Sequence, residues 1–152
     1  MLCLKHFCWC LSLGIGCIVI SIFTLFHGFL NMMEFFRLRE YHDITEASVW
    51  PNLLWGTLHL IASMCLSYSV LKTAINPILV YAIIEACYLI YALIYGSVSC
   101  ALKTNIYAKL NLTNGILFWI YVVLVCVSTT YSLLTAISFY LLKRQQRNSR
   151  EL

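Results

Sequence analysis

Charged residues are scarce in this chain. They account for 11% of its 152 residues, hydrophobic residues account for 62%, and the mean hydropathy is +0.85. A soluble domain carries about a quarter charged residues. The shortage therefore excludes an ordinary water-soluble domain and predicts a protein whose apolar surface is covered by lipid. We expect residues 1–152 to form a single domain.

Charge is almost missing from long stretches of the chain. Four of these stretches are long enough to cross the roughly 30 Å hydrocarbon core of a bilayer as helices: residues 11–30, 53–71, 78–99 and 116–142. Glu85 is the one charged residue within them. Proline is rare too, and Pro51 and Pro77 both precede a span, where proline suits the start of a helix. The sequence predicts an all-α integral membrane four-helix bundle.

An even number of spans leaves both termini on the same side of the membrane. Lys143 and Arg144 directly follow the last span, and positive residues at span ends favour the cytosol. We therefore expect both termini to be cytosolic, with residues 31–52 and 100–115 as outer loops. The second loop contains Asn111 in an Asn-Leu-Thr glycosylation pattern. Because Asn111 lies against the fourth span, we expect little or no glycan there.

The eight cysteines lack the spacings of thiol chemistry. The chain has no Cys-x-x-Cys pair and no Cys-Cys-Gly motif, which argues against thiol oxidoreductases and against the disulfide-pinned loop of tetraspanins. Cys3, Cys8 and Cys10 cluster just before the first span and are candidates for reversible palmitoylation. Packing at the membrane interface and a zinc site are the alternatives, and zinc would need further ligands. We expect no enzymatic activity, no cofactor and no metal.

Glu85 is the residue whose position most needs an explanation. It lies seven residues into its span, about 10 Å deep, where an ionisable group costs about 2.5–3.5 kcal/mol to insert. No Lys or Arg lies in any span to pair with it, so burial favours the protonated, hydrogen-bonded carboxyl. Ser63 and Ser128 lie at comparable depth in spans two and four. These three residues are the candidate intramembrane polar site.

Glu85 also lies on a stripe of small residues in the third span. Ala82, Ala92 and Gly96 follow the same alternating steps of three and four residues, which predicts a helix-packing face. Glu85 then has a structural role, between helices or toward a partner, or it is a proton-coupled site as in small four-span multidrug exporters. Those exporters place their glutamate in the first helix. We therefore favour the structural role.

The remaining polar residues in the spans point to packing and to lipid. His27 and His59 fall in the outer third of spans one and two, where they could meet. Two histidines make an incomplete metal site, so a hydrogen-bonded core pair is favoured. The basic tail 143–150 suits anionic lipid headgroups and does not require nucleic acid as a partner.

The Cys-rich opening runs into the sequence Leu-Gly-Ile-Gly-Cys-Ile-Val-Ile at residues 13–20, and four spans and a short basic tail follow. This arrangement resembles the small insect tetraspan proteins of the Pasiflora and Fire exit type, which are distantly similar to lysosome-associated four-span transmembrane proteins. The resemblance implies a non-enzymatic protein of septate junctions or other cell junctions, with membrane-protein partners or a homo-oligomer. Residues 144–152 contain no Pro-Pro-x-Tyr or tyrosine sorting signal, which favours the plasma membrane over endolysosomes.

Two functions are therefore expected from the sequence. The first is a scaffold that organises a membrane assembly through its helix faces and the charged first loop, residues 34–46. The second is a small proton-coupled transporter or channel subunit that uses Glu85. Oligomer size helps to separate the two functions, because a transporter needs a closed assembly around an aqueous path.

Overall fold

A computed structural model describes residues 12–41, 50–72, 74–101 and 112–149. These residues form four helices, α1 (Leu13–Tyr41), α2 (Trp50–Lys72), α3 (Asn76–Ala101) and α4 (Leu112–Asn148). Each helix is long and apolar enough to cross a membrane. The described part of the chain thus has the all-helical, multi-pass architecture that the sequence predicts. The lipidation candidates Cys3, Cys8 and Cys10 and the glycosylation pattern at Asn111 lie outside the described residues.

The helices extend beyond the predicted spans, and the predicted outer loops are correspondingly too long. The segment predicted as an outer loop over 31–52 is helical at both ends, because α1 continues to Tyr41 and α2 begins at Trp50. Glu34 and Arg37 form an ion pair of 2.7 Å one turn apart, which is compatible with a continuing helix. Charged residues mark where a helix leaves the hydrocarbon; they do not end it. The loop predicted over 100–115 shortens in the same way.

The two prolines lie in the first turns of α2 and α3. Pro51 is the second residue of α2 and Pro77 the second residue of α3. A missing N–H costs nothing there, because the first amides of a helix have no partner within it. The short link between Lys72 and Asn76 makes α2 and α3 antiparallel neighbours.

The four helices form a ring in chain order. Helix α1 packs most closely on α2, α2 packs on α3, α3 packs on α4, and the contact of α4 with α1 is the weakest of the four. An apolar core lies at the end of the bundle where α2 turns into α3. It consists of residues from all four helices: Leu13, Cys17, Ile20, Ala62, Leu66, Ile78, Tyr81, Ala136 and Phe139.

Polarity is arranged with polar groups inside and apolar groups outside. Among the described residues, ten polar or charged side chains are buried: Ser21, Thr24, His59, Ser63, Ser69, Glu85, Ser99, Thr129, Thr135 and Ser138. Large apolar side chains such as Phe23, Ile83 and Leu124 are exposed. This distribution suits a hydrocarbon solvent, in which exposed apolar groups cost nothing and polar groups need partners inside the protein.

Candidate functional site

Polar and aromatic side chains from all four helices meet near the middle of the bundle. We call this group the central polar cluster. It comprises His27 of α1, His59 of α2, Glu85 and Tyr88 of α3, and Tyr121 of α4. His59, Glu85 and Tyr88 are buried, whereas Tyr121 is half exposed. The cluster therefore reaches from the bundle interior to the side where α4 contacts α1.

His59 is the centre of the cluster and is held in a defined orientation. Its Nδ1 lies 2.6 Å from the backbone carbonyl oxygen of Trp55, one turn earlier in α2. A carbonyl oxygen only accepts, so Nδ1 must carry the proton and donate. The other ring nitrogen, Nε2, points toward Glu85, and Nε2 and the carboxyl Oε1 are 3.8 Å apart. The backbone of α2 thus turns the free ring nitrogen toward α3.

His27 joins the cluster from α1. Its ring centroid lies 4.7 Å from that of His59 in an edge-to-face arrangement. Its Nε2 is 3.3 Å from the Tyr88 hydroxyl and 3.4 Å from the Tyr121 hydroxyl. Tyr88 in turn packs edge-to-face on His59, with ring centroids 4.5 Å apart. His27 therefore connects α1 to both tyrosines, and through Tyr88 to the buried His59.

A close approach of two backbones brings the histidines together. A Cβ atom built on Gly28 would lie 3.0 Å from the carbonyl oxygen of Gly56 and 3.2 Å from Cβ of His59. A Cβ atom built on Gly56 would lie 3.1 Å from the Gly28 carbonyl oxygen and 2.6 Å from Met32. Only glycine fits these two positions without a shift of the helices. His27 and His59 neighbour this crossing, so it sets their separation.

A second contact between α1 and α2 is made by serines and lies about two helical turns from the Gly28–Gly56 crossing. Ser21 donates to the Ser63 carbonyl oxygen and Ser63 donates to the Ser21 carbonyl oxygen, each at 2.9 Å. The Ser67 hydroxyl lies 2.5 Å from that of Ser21. Hydroxyls that bond across helices are a common means of helix association in lipid. Ser63 therefore belongs to the α1–α2 contact.

The partners that depth matching assigns to Glu85 are not the ones found. Ser63 bonds to Ser21, and Ser128 is exposed and donates to the Val125 carbonyl oxygen of its own helix at 3.0 Å. His59 faces Glu85 instead. Equal depth gives the level of a residue in the bilayer but not the direction in which its helix face points. Sequence offered one signal for His59, since it lies one turn from Ser63 on the same face of α2.

The predicted packing face of α3 is only partly buried. Gly96 is buried, and its nearest neighbour for an added Cβ is Val122 of α4 at 3.8 Å, an ordinary contact. Ala82 and Ala92 are half-buried. Glu85 of the same face is buried, and the large side chains of Tyr81 and Tyr88 are buried beside it. Large side chains thus fill the interior on this side, and the closest helix approach lies between α1 and α2.

An aromatic layer covers the central polar cluster on the side away from the apolar core. The Trp55 ring lies 5.2 Å from the Tyr88 ring and 5.1 Å from the Tyr91 ring. Tyr91 stacks on Tyr95 at 5.4 Å. On the other side of the cluster, Tyr81 extends from the core, with Thr24 as its nearest polar neighbour on α1. The His59–Glu85 pair is therefore enclosed from both ends.

The chemistry that this arrangement offers is proton binding. Within residues 12–41, 50–72, 74–101 and 112–149, no three His, Cys, Asp or Glu side chains converge as metal ligands. Imidazole, carboxyl and phenol groups all bind or release protons, and here each contacts at least one other member of the cluster. Comparisons of the chain with protein-family models, curated proteins and solved structures find no match.

Proposed function

We propose that this chain is a non-enzymatic multi-pass membrane protein that organises a membrane assembly through its outer helix faces. Both termini lie in the cytosol, and the protein acts at the plasma membrane or at a cell junction. The resemblance of residues 13–20 and of the four-span layout to small insect tetraspan proteins supports the junctional location. Its partners are lipid and other membrane proteins, including further copies of the chain.

The enclosure of the ionisable residues is the observation that carries this proposal. The side chains of His59 and Glu85 are 0% and 5% exposed. A transport site needs access to water from at least one side, and within the described residues the pair is almost entirely closed off. Polar groups inside the bundle bond to one another across helices, as Ser21 and Ser63 do. The interior therefore serves packing, and the outer faces remain for interaction.

Helix α4 offers the largest free face. In the most apolar 18-residue segment of α4 only 11% of residues are buried, against 39% in the corresponding segment of α1. Its exposed apolar residues include Leu124 and Val127. Helices associate in lipid by van der Waals packing and hydrogen bonds and not by a hydrophobic force. We therefore place the partner-binding face on α4.

Proximity labelling of the full chain in epithelial or glial cells tests this assignment. The test variant carries Leu124→Ala and Val127→Ala on α4, and the matched control carries Ile83→Ala and Ile90→Ala on the exposed face of α3. We expect a partner list rich in junction proteins that shrinks for the α4 variant and is unchanged for the α3 variant. Equal lists for all three chains would show that lipid alone covers α4. An endolysosomal list would contradict the location.

Epitope tags at the two termini test the orientation. When only the plasma membrane is permeabilised, antibodies should reach both tags, and intact cells should show neither. The two basic residues next to the last span, Lys143 and Arg144, set this expectation. Labelling of either tag on intact cells would reverse the orientation.

A second function, a small proton-coupled transporter or channel subunit, is favoured by the central polar cluster itself. Its test is proton flux into vesicles that contain the purified chain, with Glu85→Gln as the variant and Glu40→Gln, an exposed carboxyl of α1, as the control. Flux that Glu85→Gln abolishes and Glu40→Gln preserves would favour transport.

A further inference from the structure

Two buried polar atoms face each other with no other partner. Nε2 of His59 and Oε1 of Glu85 are 3.8 Å apart, and neither has a hydrogen-bond partner within the described residues. The distance exceeds that of a hydrogen bond, and a shift of about 1 Å would close one. Buried polar atoms without partners are rare because each costs the lost hydration. The pairing of two such atoms points to a shared group between them.

The tautomer of His59 decides which proton can be shared. Because Nδ1 donates to the Trp55 carbonyl oxygen, Nε2 is either a bare lone pair in the neutral ring or an N–H in the imidazolium ion. The neutral ring accepts a hydrogen bond from a protonated carboxyl. The imidazolium donates to a carboxylate. In both cases one proton lies between Nε2 and Oε1.

The surroundings of the pair contain no fixed charge to compensate an ion. The groups next to it are His27 from α1, the Trp55 carbonyl from α2, and Tyr81 and Tyr88 from α3. On α4, Tyr121 and Cys126 lie near Tyr88, one residue further out. All are neutral in their ordinary states, and no Lys or Arg lies in residues 11–30, 53–71, 78–99 or 116–142. Two protons on the pair would leave a buried cation, and none would leave a buried anion. One proton keeps the site neutral.

One shared proton gives either a neutral imidazole with a protonated carboxyl or an imidazolium with a carboxylate. The geometry favours the first of these, in which both groups are uncharged. A carboxylate at Oε1 would need donors, and within the described residues that atom accepts no hydrogen bond. A buried ion pair that lacks such further bonds does not recover its lost hydration. A protonated carboxyl needs a single acceptor, which Nε2 provides. The proton therefore resides on the carboxyl.

We propose that Glu85 and His59 form a binding site for a single proton, carried by the Glu85 carboxyl and directed at Nε2 of the neutral His59 ring. The site goes beyond the organising role proposed above, because it exists whether or not the chain binds partners or carries a flux. It links α2 to α3 at the level where His27 links α1 to both. Loss or gain of one proton leaves a net charge between these helices.

Infrared spectroscopy of the full chain in detergent or lipid nanodiscs detects the carboxyl directly. At neutral pH the C=O stretch of a protonated carboxyl is separate from the bands of ionised carboxylates. We expect one such band per chain, lost in Glu85→Gln and retained in Glu40→Gln, whose carboxyl is exposed. Absence of the band in the wild-type chain, or its persistence in Glu85→Gln, overturns the proposal. Should Glu85→Gln fail to fold, isotope labelling of glutamate in the wild-type chain must shift the band.

Nitrogen NMR of histidine-labelled wild-type chain tests the other half of the pair. The chain has four histidines, and the His59 signals are those that vanish in His59→Gln. We expect a neutral ring with Nδ1 protonated and Nε2 bare. A ring protonated on both nitrogens would establish the ion pair, and a ring protonated on Nε2 alone would remove the acceptor. Either result overturns the proposal. If His59→Gln does not fold, substitution of the other three histidines assigns the signals by elimination.

Discussion

Replacing Gly28 by alanine should push α1 and α2 apart. The new Cβ would lie 3.0 Å from the Gly56 carbonyl oxygen and 3.2 Å from the His59 Cβ. Both are backbone or backbone-attached atoms, so neither can move aside unless the helix moves. Gly96 provides the matched control, because it is also a buried helical glycine, but its added Cβ would meet nothing closer than Val122 at 3.8 Å.

The magnitude follows from comparing the two variants. Each gains about 1 kcal/mol of helix propensity when glycine becomes alanine. Overpacking a filled interior costs about 1–3 kcal/mol, and only Gly28→Ala incurs this cost. The propensity gain cancels in the difference. Gly28→Ala should therefore have a free energy of unfolding lower than that of Gly96→Ala by about 1–3 kcal/mol.

Reversible unfolding in mixed micelles, followed by circular dichroism as the denaturing detergent fraction rises, measures this difference. Gly28→Ala should also displace His59, because its new methyl group contacts the His59 Cβ. The carboxyl band of Glu85 should then shift or be lost in that variant alone. Equal unfolding free energies for Gly28→Ala and Gly96→Ala, within about 0.5 kcal/mol, would refute the close helix crossing, since every overpacking cost would then be absent.

Three further expectations follow from the same interior. In a double-mutant cycle, Ser21→Ala and Ser63→Ala should show a coupling of about 0.6–2 kcal/mol in the free energy of unfolding. The control, Ser128→Ala, should change stability by little, because the Ser128 hydroxyl bonds within its own helix. Additive effects of the first two substitutions would contradict the reciprocal contact. Glu85→Gln should leave the unfolding free energy nearly unchanged, because the amide can still donate to Nε2 of His59. Glu85→Ala should lower the unfolding free energy by about 1–3 kcal/mol, because it leaves Nε2 of His59 without a partner. A large loss of stability in the glutamine variant would indicate an ionised carboxyl. Cys17, which is fully buried, should react with a maleimide only after the bundle unfolds, and labelling of the folded chain at the rate of the unfolded one would disprove its burial.

Sequence patterns predicted four long apolar helices, which the structure has, because the signal is local. A run without charge, such as 53–71, is a helix in lipid whatever surrounds it, since an unpaired backbone amide has no partner there. The ends of the helices could be predicted less well from the sequence. Residues 31–41 look like the start of a loop because they bring in charge, yet they continue α1 with an ion pair between Glu34 and Arg37.

Only part of the central polar cluster could be predicted from the sequence. Glu85 stands out because a carboxyl within an apolar run is unusual, and its depth is readable from the sequence. The partner of Glu85 could not be identified from the sequence. A comparison of predicted depths in the bilayer selects Ser63 and Ser128 as readily as any other polar residue at that level. The structure turns Ser63 toward α1 and Ser128 outward, and leaves His59 facing the carboxyl.

The sequence by itself determined the solvent of this protein and the number and type of the predicted spans, because both depend on the composition of continuous stretches. It also showed that one carboxyl, that of Glu85, lies within an apolar run and that none of the four apolar runs contains Lys or Arg. Tertiary structure alone decided which faces meet. The rotation of each helix about its axis depends on contacts between distant segments, here the approach of Gly28 to Gly56, and that rotation brings His27, His59 and Glu85 into one cluster.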